Sequence, residues 1–409
     1  MEQLTTPRRL AALGSLALGG FAVGLTEFVA MGLLPDIARG LLPSEYAVNT
    51  AGAVGRAGWM ITAYALGVVV GAPTVAVLTA RVPRKRLVVG LLALFVAGTV
   101  ASALAPTFGL ALVARFVAGL PHGAYFGAAG IVAATLLGPG SQGKGFATVL
   151  GGLTVANVIG VPLITGLGQA TSWRVAYVAI AATFLLTLLA VLATVPDIAA
   201  AAGGSPRAEL SAFRKPQLWL AAATAAIGFG GFFAADSYIA PVTTNVAGLG
   251  AGAVPWVLVA VGLGMTLGNA LGGWSADRNL KLSTLAGLGG IAVTTSAFAL
   301  LAHSPVGIFA GAFLIGASGL FLGPALQARL IAVAPEAQLM GAAVNQSAMN
   351  LANSLGAALG AVVIARGLGY LAPAWAGVVL ALVGLALAGT GFALEARAGA
   401  ERKRVEVNA

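Results

Sequence analysis

The 409-residue chain has no cysteine, only two histidines, 8% charged residues and no long hydrophilic segment. Without cysteine there are no disulfides, no thiol chemistry and no iron–sulfur ligation. Two histidines with no acidic cluster make a metal site improbable, and no cofactor is expected. Soluble proteins carry about 25% charged residues, so this composition excludes a soluble fold. The lack of a hydrophilic segment leaves no room for an appended catalytic, nucleotide-binding or DNA-binding domain. What abounds is apolar: 59% of residues are hydrophobic and the mean hydropathy is +0.97. Stretches of about 17 to 25 residues, long enough to cross a bilayer, follow one another from Leu10 to Ala396.

Twelve spans are predicted, over residues 10–34, 57–79, 86–105, 108–137, 145–168, 174–195, 218–241, 254–276, 282–301, 306–329, 340–366 and 374–396. The expected fold is an all-α polytopic membrane protein with two pseudo-symmetric bundles of six helices. The only long interior break is rich in Ala, Gly, Pro and charge. It divides the chain into a first bundle (1–195), a cytoplasmic linker (196–217), a second bundle (218–396) and a cytoplasmic tail (397–409). Arg8 and Arg9 before an apolar run mimic a signal peptide, but the run is too long and lacks a small-x-small cleavage site. It is expected to be an uncleaved first helix.

The net charge of +10 would suggest a nucleic-acid partner in a soluble protein; here it reads as topology. With a cytoplasmic N-terminus, Arg8, Arg9, Arg81, Arg84, Lys85, Arg86, Lys144, Arg207, Arg214, Lys215, Arg278, Lys281, Arg329, Arg397, Arg402, Lys403 and Arg404 all fall inside. Arg39, Arg56, Arg174 and Arg366 fall outside. The positive-inside rule then puts both termini in the cytoplasm, and Arg115 remains within the membrane. The partners implied are the lipid bilayer and a small molecule, not nucleic acid.

The two halves repeat. At an offset of 197, Trp256, Leu263, Gly264, Gly268 and Arg278 fall on Trp59, Leu66, Gly67, Gly71 and Arg81, and Phe313 and Gly316 fall on Phe116 and Gly119. An offset of 196 puts Asn353 and Gly356 on Asn157 and Gly160. Six-span repeats about an axis along the membrane normal characterise transporters with a site near midplane between the halves. Glycines at four-residue spacing, such as Gly67 and Gly71 or Gly264, Gly268 and Gly272, fit close helix packing.

Two short motifs invite opposite treatment. Gly138 to Lys144 has the spacing of a phosphate loop, but Gly145 stands where Ser or Thr should hold magnesium and no strand precedes it. That reading is rejected. Gly273, Asp277 and Arg278 form G-x-x-x-D-R after the eighth span, with Arg81 and Arg84 in the corresponding loop after the second. Basic anchoring explains the arginines; a carboxylate facing a guanidinium across the bundles would add a breakable latch.

These paired loops resemble the signature loop of the major facilitator superfamily. Thr26, Glu27, Phe28, Met31, Gly32, Leu33, Leu34 and Pro35 resemble the first-helix pattern of its twelve-span drug–proton antiporter branch, whose members include bacterial sugar-efflux, purine-efflux and chloramphenicol-resistance exporters. Arg115, Gly119, Pro121, His122 and Gly123 are similar to that branch's fourth-helix motif, in which the arginine is implicated in proton coupling. Asn157, Gly160, Pro162 and Gly166 resemble its fifth-helix motif, with Pro one residue late and one Gly missing. Ala80 and Pro83 also depart from the Asp and Gly of the first signature loop. The resemblance implies a proton-coupled exporter of small lipophilic or amphipathic molecules, working by alternating access as a monomer in a bacterial inner membrane, and no enzyme.

Residue counting places Glu27, Arg115 and Asp236 in one layer, roughly 8 to 10 Å from midplane at 1.5 Å rise per residue. A charge in hydrocarbon costs at least about 2.5 to 3.5 kcal/mol, so such groups face a bundle interior or a wet cavity. One reading is a static Glu27–Arg115 ion pair. The other makes Glu27, aided by Asp236, the proton carrier, since a carboxyl group kept from water favours its neutral form. His122, two turns after Arg115, is either a cavity residue or a neutral histidine bonded to backbone. Asn157, Asn350 and Asn353 near midplane serve either interhelical bonding or substrate contact. Phe232, Phe233 and Tyr238 beside Asp236 complete the candidate cavity. Aligning Pro35 with Pro241 pairs Glu27 with Phe233, so the two acids are not symmetry mates and coupling is expected to be asymmetric. Within transporters, symport remains the alternative. A channel would need a continuous polar stripe, and an intramembrane enzyme a nucleophile with its base.

Overall fold

A computed structural model of the chain describes residues 5–79, 82–138, 141–198, 212–333 and 338–408. Among them, twelve helical stretches are long and apolar enough to span a bilayer. They are α1 (Thr6–Leu41), α2 (Thr50–Ala72), α3 (Arg84–Leu104), α4 (Phe108–Leu137), α5 (Gly145–Ala170), α6 (Trp173–Thr194), α7 (Pro216–Asn245), α8 (Ala251–Arg278), α9 (Leu280–Leu301), α10 (Pro305–Ala332), α11 (Val344–Ala365) and α12 (Ala372–Arg397). The last helix continues as far as Asn408. With an even number of spans, both chain ends emerge on one face, termed the terminal face; the opposite one is the far face. Most of the expected linker, and Arg81 of the first signature loop, lie outside the described residues.

Helix formation here needs little help from capping. In hydrocarbon every backbone N–H and C=O must be paired within the segment, which leaves the helix as the solution for a lone span. Side-chain caps occur where the chain re-enters from a loop: Thr107, Ser172, Asn279 and Ser304 accept from backbone amides at the starts of α4, α6, α9 and α10. Leucine, valine and tryptophan side chains remain exposed along the outer surfaces, Leu163, Trp256, Trp274 and Val293 among them. Apolar exposure on that scale suits lipid.

Glycine sets how closely the helices approach within each bundle. A Cβ at Gly67 would strike the carbonyl of Phe116, and one at Gly71 the carbonyl of Leu120. In the second bundle Gly264 meets the carbonyl of Phe313, and Gly268 that of Ala317. Gly119 against Tyr64 is matched by Gly316 against Val261. Each pair repeats at the offset of 197 read from the sequence, so α2 on α4 and α8 on α10 are copies of one packing. With so little hydrophobic drive between helices in lipid, small residues that admit backbone contact hold such pairs.

Between the bundles, contacts run from mid-depth to the far face. Gly55 of α2 abuts Ala361 and Ile364 of α11, and Gly32 of α1, which also touches Thr165 of α5, abuts Leu258 of α8. Gly262 of α8 meets the backbone of Asn157 and Val158 in α5, and Gly58 lies against Tyr238 of α7. Toward the terminal face the polar side chains of Thr266 and Asn269 on α8 and Gln327 on α10 are exposed.

Candidate functional site

The site lies where α1 crosses the seam between the bundles. Thr26 and Glu27 are adjacent in sequence and about 100° apart around the helix, so their side chains leave in different directions. Thr26 points into its own bundle. There Arg115 of α4 donates from one terminal nitrogen to Thr26 Oγ1 and from the other to the Thr26 carbonyl oxygen, each at 2.9 Å. Its Nε donates to the Met60 carbonyl of α2 at 3.5 Å. The guanidinium lies 4.2 Å from the ring centroid of Tyr64 and 5.5 Å from that of Tyr177. Arg115 is 0% exposed; a planar fork with a weakly held hydration shell can be buried where an ammonium could not.

Glu27 takes the other direction, to the opposite bundle. Asn353 Nδ2 of α11 donates to Glu27 Oε1 at 3.4 Å. Glu27 is buried, and among the described residues no cation lies within 4.0 Å of its carboxylate. Glu27 and Arg115 therefore share a neighbourhood without forming an ion pair, because Thr26 captures the guanidinium. The cross-seam bond is accompanied by one from Thr62 Oγ1 of α2 to the Ser354 carbonyl of α11 at 3.4 Å.

Asp236 of α7 is the second buried acid. It lines a narrow crevice with Phe28 and Met31 of α1, Asn157 and Val161 of α5, and Leu258, Val261, Gly262 and Met265 of α8. The walls come from both bundles. Asp236 is 2% exposed and its Oδ1 has no partner among the described residues. Polar atoms buried without partners are rare in proteins. Asn345 Oδ1, Asn350 Oδ1 and Asn353 Oδ1 of α11 and Ser237 Oγ of α7 are also unpaired, as are hydroxyls elsewhere in both bundles such as those of Thr99, Tyr177 and Thr295.

Both helices that supply the crevice's polar residues are wound irregularly. α5 passes through a π turn at Ala156–Gly160 and α7 through another at Thr224–Gly228. Pro162 follows the first by two residues; lacking an N–H it cannot close the regular ladder, and the wider turn absorbs the fault while carrying Asn157. π turns recur at functional sites. Gly160 receives Phe21 and Leu25 of α1, and a Cβ at Gly166 would come into ordinary contact with Pro255 of α8. α7 is interrupted once more at Ser237 and Tyr238, just beyond Asp236.

The remaining predicted residues are placed as follows. His122 Nδ1 shares a hydrogen bond with Tyr64 OH at 3.0 Å, inside the first bundle. Tyr64 thereby joins His122 to Arg115. Phe232 and Phe233 form a ring cluster with Phe229 at 5.1 to 5.6 Å, and Phe232 lies against Gly319 of α10. Tyr238 OH donates to the Ala357 carbonyl at 2.7 Å in a groove made by Gly58 and Gly360. The aromatic side chain facing Asp236 is thus Phe28, and the α7 aromatics join helices. Asn350 Nδ2 donates to its own helix at Gln346. At the terminal face Asp277 is exposed, and Arg278 stacks on Trp274 of the same helix at 3.7 Å. Gly273 has nothing near it, and the Arg84 amide donates to the Ile198 carbonyl at 2.9 Å. No latch is closed there among the described residues. Tyr64, Tyr177 and Asn345 were missed from the sequence; Tyr64 shares the depth of the predicted charged layer, a signal that counting could have found.

Twelve spans in two six-helix bundles that meet over buried acids define a polytopic membrane transporter, not an enzyme. The sequence profile of the Major Facilitator Superfamily matches residues 16–336, and the chain belongs to that family. The chain is 37% identical to the inner membrane transport protein YdhP of Escherichia coli K12, over 87% of this chain and 89% of that one. It is 35% identical to a chloramphenicol resistance protein of Streptomyces lividans, over 91% of this chain and 94% of that one. Among solved structures, a bacterial homolog of the human lysosomal transporter Spinster in an inward-facing and unoccupied conformation matches with a TM-score of 0.70. That match covers 95% of this chain and 98% of the other at 16% identity, a likeness of fold.

Proposed function

We propose that the protein is a proton-coupled exporter that exchanges protons for small lipophilic or amphipathic molecules, Glu27 carrying the proton. The observation that carries this reading is the buried Glu27 carboxyl at the bundle seam, bonded across it to Asn353 and free of any contacting cation among the described residues. A permanently ion-paired acid has no reason to exchange its proton; an unpaired one, alternately closed off and wetted, does. Only a difference in proton affinity between two conformers can drive a cycle. The seam supplies one, because its closure determines whether Glu27 meets Asn353 or water.

The arginine and lysine distribution places the terminal face, with both chain ends, in the cytoplasm. The exporter would then sit in the inner membrane of a bacterium, with a single chain containing the whole pathway. The Asp236 crevice has apolar walls and one unpaired carboxylate, which suits an amphipathic guest; relatives include a chloramphenicol resistance protein.

The sign of proton movement tests the exchange. In inverted vesicles acidified inside, adding chloramphenicol or tetraphenylphosphonium outside should raise the luminal pH as protons leave against the incoming compound. A fall in luminal pH would show symport, and no change with either compound in a drug-sensitive host's vesicles would remove the exporter reading. The substitution Asp236→Asn should lower uptake of tetraphenylphosphonium at least tenfold, equivalent to about 1.4 kcal/mol, and leave chloramphenicol within about twofold. Equal effects on the cation and the neutral compound would take Asp236 out of the substrate site.

A further inference from the structure

We infer that Asn353 is the residue that reads the protonation state of Glu27 and converts it into closure of the far side, through an acid–amide pair spanning the two bundles. The inference rests on the proton-carrier reading of Glu27 and adds to it the partner that makes the proton matter.

The observation is an imbalance at one side chain. Asn353 is 1% exposed; its Nδ2 donates to Glu27 Oε1, while its Oδ1 has no partner among the described residues. An amide presents one acceptor and two donors. An ionised carboxylate can only accept, so it satisfies the Nδ2 side and leaves Oδ1 stranded beside negative charge. A protonated carboxyl also has an O–H to give. It can donate to Asn353 Oδ1 while its carbonyl oxygen accepts from Nδ2, closing a two-bond ring across the seam. Both groups are then satisfied in a place where an orphaned polar atom is costly.

Protonated Glu27 therefore favours the joined far side, and ionised Glu27 favours parting. The consequence has a definite sign. The far side should be closed at low pH and should open as pH rises, because the proton is bound preferentially in the closed arrangement. In an exporter this is the required order: a proton taken up from outside closes the outer door behind it.

Other groups around Glu27 do not supply the same link. Arg115 is committed to Thr26 and Met60 within the first bundle. Tyr64 is bonded to His122, and Tyr177 flanks Arg115. Asp236 lines the crevice with Phe28 and Met31. Of these only Asp236 stands in the second bundle, and it makes no hydrogen bond to α1 through its unpaired Oδ1.

Because the chain has no cysteine, a pair at Val48 and Val306, both exposed loop-side residues of the far face, can carry spin labels without background. In lipid nanodiscs the full-length protein should show a short far-side distance at pH 5 and a growing long population by pH 9. Asn353→Leu should flatten this titration, reducing the change in population at least fivefold. Glu27→Gln should favour the short distance at every pH, since two facing amides also form two hydrogen bonds without a titrating proton. A wild-type distance that ignores pH would overturn the inference, as would Asn353→Leu or Glu27→Gln titrating like the wild type. A Glu27→Gln protein that loses proton-driven flux yet keeps the wild-type distance titration would remove Asn353 as the reader and leave Glu27 as the carrier. Retained uphill flux in that variant would remove the carrier itself.

Discussion

Replacing Glu27 with Gln should reduce uphill transport to equilibration. One proton moving down 100 mV releases about 2.3 kcal/mol, enough to sustain roughly a 50-fold gradient of a neutral substrate at about 1.4 kcal/mol per tenfold. Glutamine has nearly the same shape and can still accept from Asn353 Nδ2, so the seam and the fold should survive. What it cannot do is release a proton on one side and regain it on the other. Accumulation of labelled chloramphenicol in acidified inverted vesicles should fall from that order to the level seen with an uncoupler. Exchange of labelled for unlabelled compound across the membrane should persist at a reduced rate, since it needs no net proton transfer and the seam bonds amount only to about 0.5 to 1.5 kcal/mol each. Undiminished accumulation by the variant would refute Glu27 as the proton carrier.

The difference between what the sequence discloses and what it conceals follows from helix geometry. Depth along a helix is countable at 1.5 Å per residue. Hence the twelve spans and the repeat at 197 were legible. The direction in which a side chain leaves the helix depends on rotation and crossing angle, which counting does not give. Thr26 and Glu27 differ by one residue in depth, yet one binds Arg115 and the other crosses to Asn353. The expected choice between an ion pair and a free carboxylate could not be made at that level. The π turns add a further offset. Asn157 lies inside one, so its direction departs from any regular wheel, although Pro162 within an apolar span signals that the ladder must yield nearby. The roles of Phe232, Phe233 and Tyr238 were hidden for another reason. An aromatic residue beside a buried acid reads alike whether it lines a cavity or fills the groove left by Gly319, Gly58 or Gly360.

Arg115 poses the sharpest energetic question, and its replacement should have the second-largest effect. An arginine at this depth costs at least about 2.5 to 3.5 kcal/mol relative to an apolar residue. Its three hydrogen bonds and two ring contacts offset part of that. Arg115→Leu should therefore fold, with a thermal midpoint within a few degrees of wild type, because it removes the charge along with its need for partners. Transport should suffer far more. With the positive charge gone, the ionised form of Glu27 loses the cation held on the neighbouring residue, and opposite charges nearby favour ionisation. Proton release toward the cytoplasm becomes the slow step, and proton-driven flux should drop about 100-fold. Raising the pH on the release side should recover part of that flux in Arg115→Leu, and much less in Glu27→Gln, which has no proton to release. Arg115→Lys keeps a charge but loses the fork that grips Thr26 Oγ1 and its carbonyl together, so its flux should fall between Arg115→Leu and wild type. Flux in Arg115→Leu at the wild-type rate, or a rate indifferent to release-side pH, would show that the cation holds helices together and takes no part in moving the proton.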